Sequence, residues 1–465
     1  MSSMTDATVP SIAPLEAMSK ACLANSWLNH AWGAFVGACV GDAAGALIEG
    51  MRAPVPDRAV DDCLKFVGGG PHNIDPGAVT DDGELTCAAL HALYDYSPDF
   101  EIPHDVLAEH YRDWAYSAPF DMGYTCRSAF RVPRNIPGEG LGERMRGLAA
   151  ENAICVKSEA NGALMRASAL GVWVAASAEG GTENLSRLAR EVAWADATLS
   201  HPHRVCVEAS TLYVLAVAYL IRNPGDGLGA LAAVEAEIQN HCTSDVVDWY
   251  YTGMNLDKDN FGANGGHVKH AFRAAFYHLR RRSTAEEAFR DVLRRGGDTD
   301  TNACIVGGLL GALHGYDLIP DHLKGKVLTF DCTKEYGLNH RRPHTYSVGR
   351  CFRLVEHMAP FQEPVVAPSK VVRVVKMEGA KEEADEETSF KISEGEYSDD
   401  TKYTVEELRT TMTEVVERIA AIWETGAEAD PNDWFTKEIE RHVGAIISLV
   451  GVERNLPWKN LGGAL

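Results

Sequence analysis

Residues Arg294–Gly315 read RRGGDTDTNACIVGGLLGALHG. Asp298, Asp300 and Thr301 stand at the entrance to a run built from Ala, Gly, Ile, Val and Leu, which predicts a buried helix. Carboxylates beside a buried apolar helix are costly unless something neutralises them. Gly296 and Gly297 let the backbone turn sharply before Asp298. Inside the helix, Gly307, Gly308 and Gly311 each cost about 1 kcal/mol relative to Ala, a cost that points to another helix packed closely against them. Gly37, Gly41 and Gly45 recur every four residues upstream and carry the same sign.

Two further stretches repeat the pattern. GAVTDDGELTCAAL (Gly77–Leu90) holds Thr80, Asp81 and Asp82 before a helix expected over about Glu84–Tyr94. GACVGDAAGALIEG (Gly37–Gly50) holds Asp42 and Glu49. A helix N-terminus favours negative charge, so any one of these aspartates reads equally as a cap. The set does not, because Asp81 repels Asp82 and Asp298 repels Asp300. Oxygen donors from Asp and Thr, without His or Cys, suit Mg²⁺ or Mn²⁺ rather than zinc. Two such groups from distant sequence can hold two metals a few ångströms apart. For Asp42 both readings stay open: a helix cap, or an acid just outside the ligand set.

The rest of the chain supports an all-α fold. HDVLAEHYRDWAYSA (His104–Ala118) sets Val106, Leu107, Tyr111 and Trp114 at helical spacing, with Trp114 read as core. Arg204–Arg222 is apolar nearly all round and predicts a buried core helix. His267–Arg281 and Thr284–Gly296 are amphipathic. Four regions are expected: a flexible arm over 1–25, a main helical domain over 26–360, an acidic disordered linker over 361–402, and a C-terminal helical hairpin over 403–465. The linker rests on residues 378–400, which carry ten acids against two lysines. The hairpin rests on the apolar stripe Val405, Leu408, Met412, Val415, Ile419 and Ile422, opened by Thr404 and Glu407 as a capping box. It is expected to pack on the main domain or on a second copy, with partner binding as the minority reading.

Composition narrows the partners. A formal net charge of −22 repels phosphate backbones and anionic lipid, which argues against nucleic-acid and membrane partners. The 11 cysteines are an odd number without CxxC or CxxH spacing, so they read as reduced, mostly buried thiols in a cytoplasmic protein. The N-terminus lacks the basic and apolar regions of a secretory signal. No window has about 18 continuous apolar residues, so no membrane span is expected.

Taken in order, Gly41-Asp42-Ala43-Ala44-Gly45 with Glu49, Thr80-Asp81-Asp82 and Gly297-Asp298-Thr299-Asp300-Thr301-Asn302 resemble the signature of the ADP-ribosylglycohydrolase family. Ser117–Phe130 (SAPFDMGYTCRSAF), Asn161–Gly171 (NGALMRASALG) and Asp196–His203 (DATLSHPH) resemble its intermediate motifs. The likeness runs over about residues 30 to 350. Its Asp-x-Gly-x-Thr-Cys-Arg run looks most like the dinitrogenase reductase-activating, arginine-type branch.

The resemblance implies a compact helical domain with a binuclear magnesium centre, manganese in some members, at the base of a cleft. It implies metal ligands at Thr80, Asp81, Asp82, Asp298, Asp300 and Thr301. Asp121 matches an acid at the ribose end of the cleft, and Glu49 an acid on a mobile flap. Asp81 joins these two as a catalytic candidate. Asn161, Gly162, Met165 and Arg166 would lie along the nucleotide side, with Gly123 beside them. The implied partners are ADP-ribose and an ADP-ribosylated protein, and the implied reaction is hydrolysis of the N-glycosidic bond to arginine. In that reaction Asp121 acts at the anomeric carbon with a water, while the metals fix the ribose. Such a cleavage needs an acid for the leaving group or a base for water. Serine-linked, free or nucleic-acid-linked ADP-ribose with Glu49 as the working acid is the first alternative. A non-catalytic ADP-ribose-binding module is the second.

Three positions depart from the family pattern. Gly83 stands where Thr or Ser is common, Tyr124 where arginine-type members commonly have Asn, and His267 where an aromatic is usual. Outside the motifs, His201 and His203 read as solvated histidines at a helix end. Arg341-Arg342-Pro343 reads as a surface turn or a phosphate contact.

Overall fold

The structure is a computed structural model. It describes residues 26–94, 102–256, 259–262, 264–335 and 340–358, and three short segments at 373–374, 389–393 and 402–404. The arm over 1–25 lies outside the described residues. The chain divides into two units, Met1–Phe361 and Gln362–Leu465.

In chain order the helices of the first unit are α1 (Ser26–Gly45), α2 (Asp57–Lys65), α3 (Asp81–Tyr94), α4 (His104–Tyr116), α5 (Tyr124–Phe130), α6 (Leu141–Glu151), α7 (Ala153–Lys157), α8 (Ala167–Ser177) and α9 (Thr182–Ala197). They continue as α10 (Arg204–Arg222), α11 (Gly227–His241), α12 (Ser244–Thr252), α13 (Val268–Arg281), α14 (Ala285–Arg294), α15 (Thr299–His314), α16 (Asp321–Thr329) and α17 (Val348–Met358). This is the expected all-α domain.

The stretch quoted first sets the architecture. Helix α15 runs antiparallel to α1 at a distance that only glycine permits. A Cβ on Gly33 would run into the carbonyl of Gly311, one on Gly37 into that of Gly307, and one on Gly41 into that of Ala303. The reverse holds too: Gly307 meets the carbonyl of Gly37 and Gly311 that of Gly33. The helix-interior cost of these glycines is thereby offset by backbone-to-backbone packing. At the open end of this zipper Gly45 touches Thr299 and Asp300, and the Thr299 hydroxyl donates to the Gly45 carbonyl at 2.8 Å. The zipper therefore delivers the C-terminal end of α1 to the N-terminal end of α15.

Around this pair the apolar core is continuous. Helix α10 packs on α8, α9, α11 and α15. It is the one described helix long and apolar enough to cross a membrane, and 83% of its apolar window is buried inside the protein. Trp114 is fully buried, as expected. Among the described residues every cysteine is a free thiol, and all but Cys242 are buried.

In the second unit β1 (Arg373–Val374), β2 (Ser389–Ser393) and β3 (Lys402–Thr404) form an antiparallel sheet in that order. Val374 stands opposite Ile392 and Phe390 opposite Tyr403. β1, β2 and the first residue of β3 lie within the span expected to be the acidic linker, whose other residues lie outside the described ones. Phe390, Ile392 and Tyr403 are of the aromatic and β-branched types that pair most readily. Thr404 ends β3; the helical hairpin expected after it lies outside the described residues.

Candidate active site

Three helix ends converge. Helix α3 begins at Asp81, and its first-turn donors have no intrahelical partner. The Asp42 carboxylate, carried in from α1, accepts from the Thr80 N–H at 3.0 Å, the Thr80 hydroxyl at 2.8 Å and the Gly83 N–H at 2.8 Å. Asp42 is thus a cap supplied from another helix. This contact explains Gly83. A Cβ there would sit 2.7 Å from an Asp42 oxygen and 2.7 Å from the Val79 Cβ, so the Thr or Ser of other family members would displace the cap.

Several of the carboxylates gather at this junction. Asp42, Asp82 and Asp300 bring oxygens within 4.8 Å of one another, as do Glu49, Asp298 and Asp300. Asp300 belongs to both trios. One Asp82 oxygen accepts from the Thr80 hydroxyl at 3.2 Å and from the Thr301 hydroxyl at 3.3 Å. Its other oxygen is buried with no hydrogen-bond partner. Asp300 accepts from the Thr301 N–H at 2.9 Å. Asp81 lies outside both trios and accepts from the Gly123 N–H at 3.2 Å, facing the loop that carries Asp121.

Burial is the first cause of the resulting strain in ionisation. It raises Asp81, Asp82 and Asp300 well above the usual carboxylate range, and their mutual repulsion adds to it. Burial likewise raises Asp42 to about 7, against the opposing pull of its Thr80 and Gly83 hydrogen bonds. Left to themselves these groups would hold protons; a divalent cation among them would remove the protons and accept the orphaned Asp82 oxygen. An all-oxygen donor set with one buried oxygen unsatisfied fits a hard cation. Thr80, Asp82, Asp298, Asp300 and Thr301 are the residues that can hold it, with Asp42 and Glu49 adjoining and Asp81 at the margin.

The cleft wall is built from glycine. A Cβ on Gly266 would sit 3.2 Å from an Asp298 oxygen, and one on Gly265 would sit 2.8 Å from the Asp298 nitrogen. Asn161 donates to the same Asp298 carboxylate at 2.8 Å. Gly123 is exposed beside Tyr124, whose side chain is 70% exposed at the start of α5. His267 is drawn aside: it caps α13 through the Lys269 N–H at 3.1 Å and pairs with Glu159 at 2.9 Å.

Several expected roles change. Arg166 does not line a nucleotide path. It is fully buried, paired with Asp196 at 2.9 Å, and donates to the Gly162 carbonyl and to Ser200. A buried guanidinium must spend its donors on the protein, so Arg166 braces the Asn161–Gly162 turn from beneath. Met165 is buried, its carbonyl accepting from Thr86 at 3.4 Å and from Cys304 at 3.4 Å. Gly162 packs on the ring of His201. His201 is not solvated: burial, then Arg166, pushes it down to about 3, so it stays neutral. Arg342 is neither a surface turn nor a phosphate contact. It is buried, makes a bidentate pair with Glu84 at 2.6 and 2.8 Å, and donates to the Ser117 carbonyl at 2.7 Å, fixing the root of the Asp121 loop.

One cleft residue escapes the sequence patterns. His72 Nε2 lies 3.2 Å from Glu49 and 3.2 Å from Asp121. Hydrogen bonds donated to Asp121 and then to Glu49 raise it to about 10. Its only sequence signal is a lone His in a glycine-rich turn, Gly68-Gly69-Gly70-Pro71-His72.

The sequence profile of ADP-ribosylglycohydrolase matches residues 24–348. The chain belongs to the ADP-ribosylglycohydrolase family. A family protein of Acanthamoeba polyphaga mimivirus, named for ADP-ribosyl glycohydrolase, is 25% identical over 328 residues, covering 65% of this chain and 92% of that protein. The ADP-ribosyl-[dinitrogen reductase] glycohydrolase of Rhodospirillum rubrum is 25% identical over 308 residues, covering 64% and 90%. A solved ADP-ribosylglycohydrolase-related protein complex shares the fold with a TM-score of 0.52 at 22% identity, over 72% of this chain and 99% of that one. As a family member the protein is an ADP-ribosyl glycohydrolase, a metal-dependent hydrolase of glycosyl bonds that acts on ADP-ribosylated substrates.

Proposed function

We propose that this ADP-ribosylglycohydrolase removes ADP-ribose from modified arginine on a protein, with two Mg²⁺ as its resident cations and Mn²⁺ as a substitute. The carrying observation is Asp121: a partly exposed carboxylate on a loop joined to Asp81 through Gly123, beside the two carboxylate trios. Two trios sharing Asp300 suit two cations better than one. When bound, the cations supply positive charge that holds ribose hydroxyls at the base of the cleft. The chain's own residues do the rest. Asp121 is placed to take or give the proton at the anomeric carbon. The Gly265–Gly266 wall lets the sugar approach Asp298. Exposed Tyr124 and the Gly123 backbone stand where the modified side chain enters. The name of the Rhodospirillum rubrum relative supports a protein substrate.

A second reading, hydrolysis of serine-linked or other ADP-ribose derivatives with Glu49 as the working acid, is favoured by the contact of Glu49 with the same His72. Single-turnover assays on arginine- and serine-modified peptides separate the two. Release from the arginine peptide and its loss in Asp121→Asn support the first. Release only from the serine peptide, lost in Glu49→Gln, overturns it.

A further inference from the structure

We propose that His72 is a positioning residue that fastens the Glu49 segment to the Asp121 loop, fixing both acids at the mouth of the carboxylate cluster. The inference rests on the hydrolase reading above, in which Asp121 is the working acid, or Glu49 in the second reading.

The geometry begins with a turn that has no freedom. Gly69 and Ile74 pair across it, with Gly69 N–H to Ile74 carbonyl at 2.7 Å and the return bond at 2.9 Å. Gly70 and Asn73, which flank Pro71 and His72, both have positive φ, as a tight turn requires. The turn is seated on the segment that leads to Glu49: a Cβ on Gly70 would sit 2.5 Å from the Ala46 carbonyl and 2.9 Å from the Leu47 Cα. That segment is stitched in turn to the root of α15, through Gly50 N–H to the Gly297 carbonyl and Gly297 N–H to the Met51 carbonyl, both at 2.8 Å.

From the other side His340 completes the frame. Its Nε2 lies 2.9 Å from the His72 carbonyl, and its ring stacks on Phe120 at 4.3 Å. Phe120 immediately precedes Asp121 and lies 5.6 Å from the His72 ring. The His72 side chain is thus held at backbone and ring, and it presents one nitrogen to two carboxylates at equal distance. Glu49 and Asp121 would otherwise face each other as like charges at the edge of an already crowded acidic site. A shared donor makes their positions interdependent. Misplacing a catalytic acid by about 1 Å can cost about 100-fold in rate, so the latch acts on turnover more than on ligand capture.

The test uses the full chain loaded with Mg²⁺ and the modified peptide that the wild type cleaves. His72→Phe keeps the ring and its packing on Phe120 but removes the shared donor; His72→Gln restores one donor. The expected result is a roughly 10- to 100-fold fall in kcat for His72→Phe, with ADP-ribose Kd and unfolding temperature near wild type, and partial recovery in His72→Gln. In the Asp121→Asn background the His72→Phe change should cost much less than in the wild type, because a large part of its effect runs through that acid. An unchanged kcat and KM in His72→Phe overturns the inference, as does a full, additive loss in the Asp121→Asn background. A wild type inactive on every ADP-ribosyl substrate instead removes the reading beneath, and the inference falls with it.

Discussion

Two kinds of buried charge occur in this domain, and they solve opposite problems. In one, Glu84 pairs bidentately with Arg342, and Arg166 is enclosed by Asp196, Ser200 and the Gly162 carbonyl. Each charge there meets its partner inside the protein. In the other, Asp82 and Asp300 share a site with Asp42, no cationic side chain among the described residues pairs with them, and an Asp82 oxygen is left without a partner. The first kind stiffens the frame. The second is complete only with a cation from outside. Burial of charge therefore does not by itself mark a ligand site; the unfilled half of the ledger does.

The largest way to break this contrast is Asp300→Ala. Asp300 belongs to both trios, so its loss should abolish divalent-metal binding and lower kcat/KM by about 1,000-fold or more. Metal content per chain and single-turnover rates check it. The same change relieves like-charge repulsion, so the metal-free variant should unfold at a higher temperature than the metal-free wild type. Retained activity without bound metal would sink the mechanism.

On the balanced side, Arg166→Met strands Asp196 as a buried unpaired carboxylate. The expected cost is about 3–5 kcal/mol, read by denaturant unfolding in saturating Mg²⁺. Adding Asp196→Leu should recover most of that loss. No such recovery is possible for Asp300, whose partner is not a residue.

Gly37→Ala attacks the zipper that holds the two halves of the acidic site together. The new methyl meets the Gly307 backbone, and overpacking of this kind costs about 1–3 kcal/mol. Because α1 then moves off α15, Mg²⁺ affinity should weaken along with stability, whereas Arg166→Met should lower stability more than affinity. Parallel thermal scans and metal titrations distinguish them.

The smallest expected effect is in pH. Asp42, Asp81, Asp82 and Asp300 have folded-state values raised above the unfolded one. The metal-free folded state therefore binds more protons than the unfolded chain. Its stability is fully present below the unfolded carboxylate value of about 4 and is lost as pH rises through the folded values, about 7 for Asp42. EDTA-treated protein should melt higher at pH 5 than at pH 8. Excess Mg²⁺ should reverse the trend, since the cation displaces the protons.

The contrast also explains what could be read from sequence. The zipper was legible because Gly37, Gly41, Gly45 and Gly307, Gly311 recur at helical spacing, and glycine has few other uses inside a helix. The acidic site was legible because adjacent aspartates at two helix entrances need a common partner. Arg166 was misread because a motif gives a residue's place in the chain but not the side from which it serves the site. Arg342 was misread and His72 missed for a different reason: each is a polar loop residue whose partner lies 258 residues away in one case and on two separate loops in the other. Linear sequence carries no signal for that pairing. The helix starts were off by only a few residues, as at α3, which begins at Asp81 rather than Glu84 because Asp42 supplies the missing cap.

The most direct test is calorimetric titration of metal-free protein with Mg²⁺, with and without ADP-ribose. The account predicts two equivalents of metal per chain and ADP-ribose binding that requires them. ADP-ribose binding that is indifferent to metal would contradict it, because the cluster of Asp82, Asp298 and Asp300 would then serve the ligand without a cation.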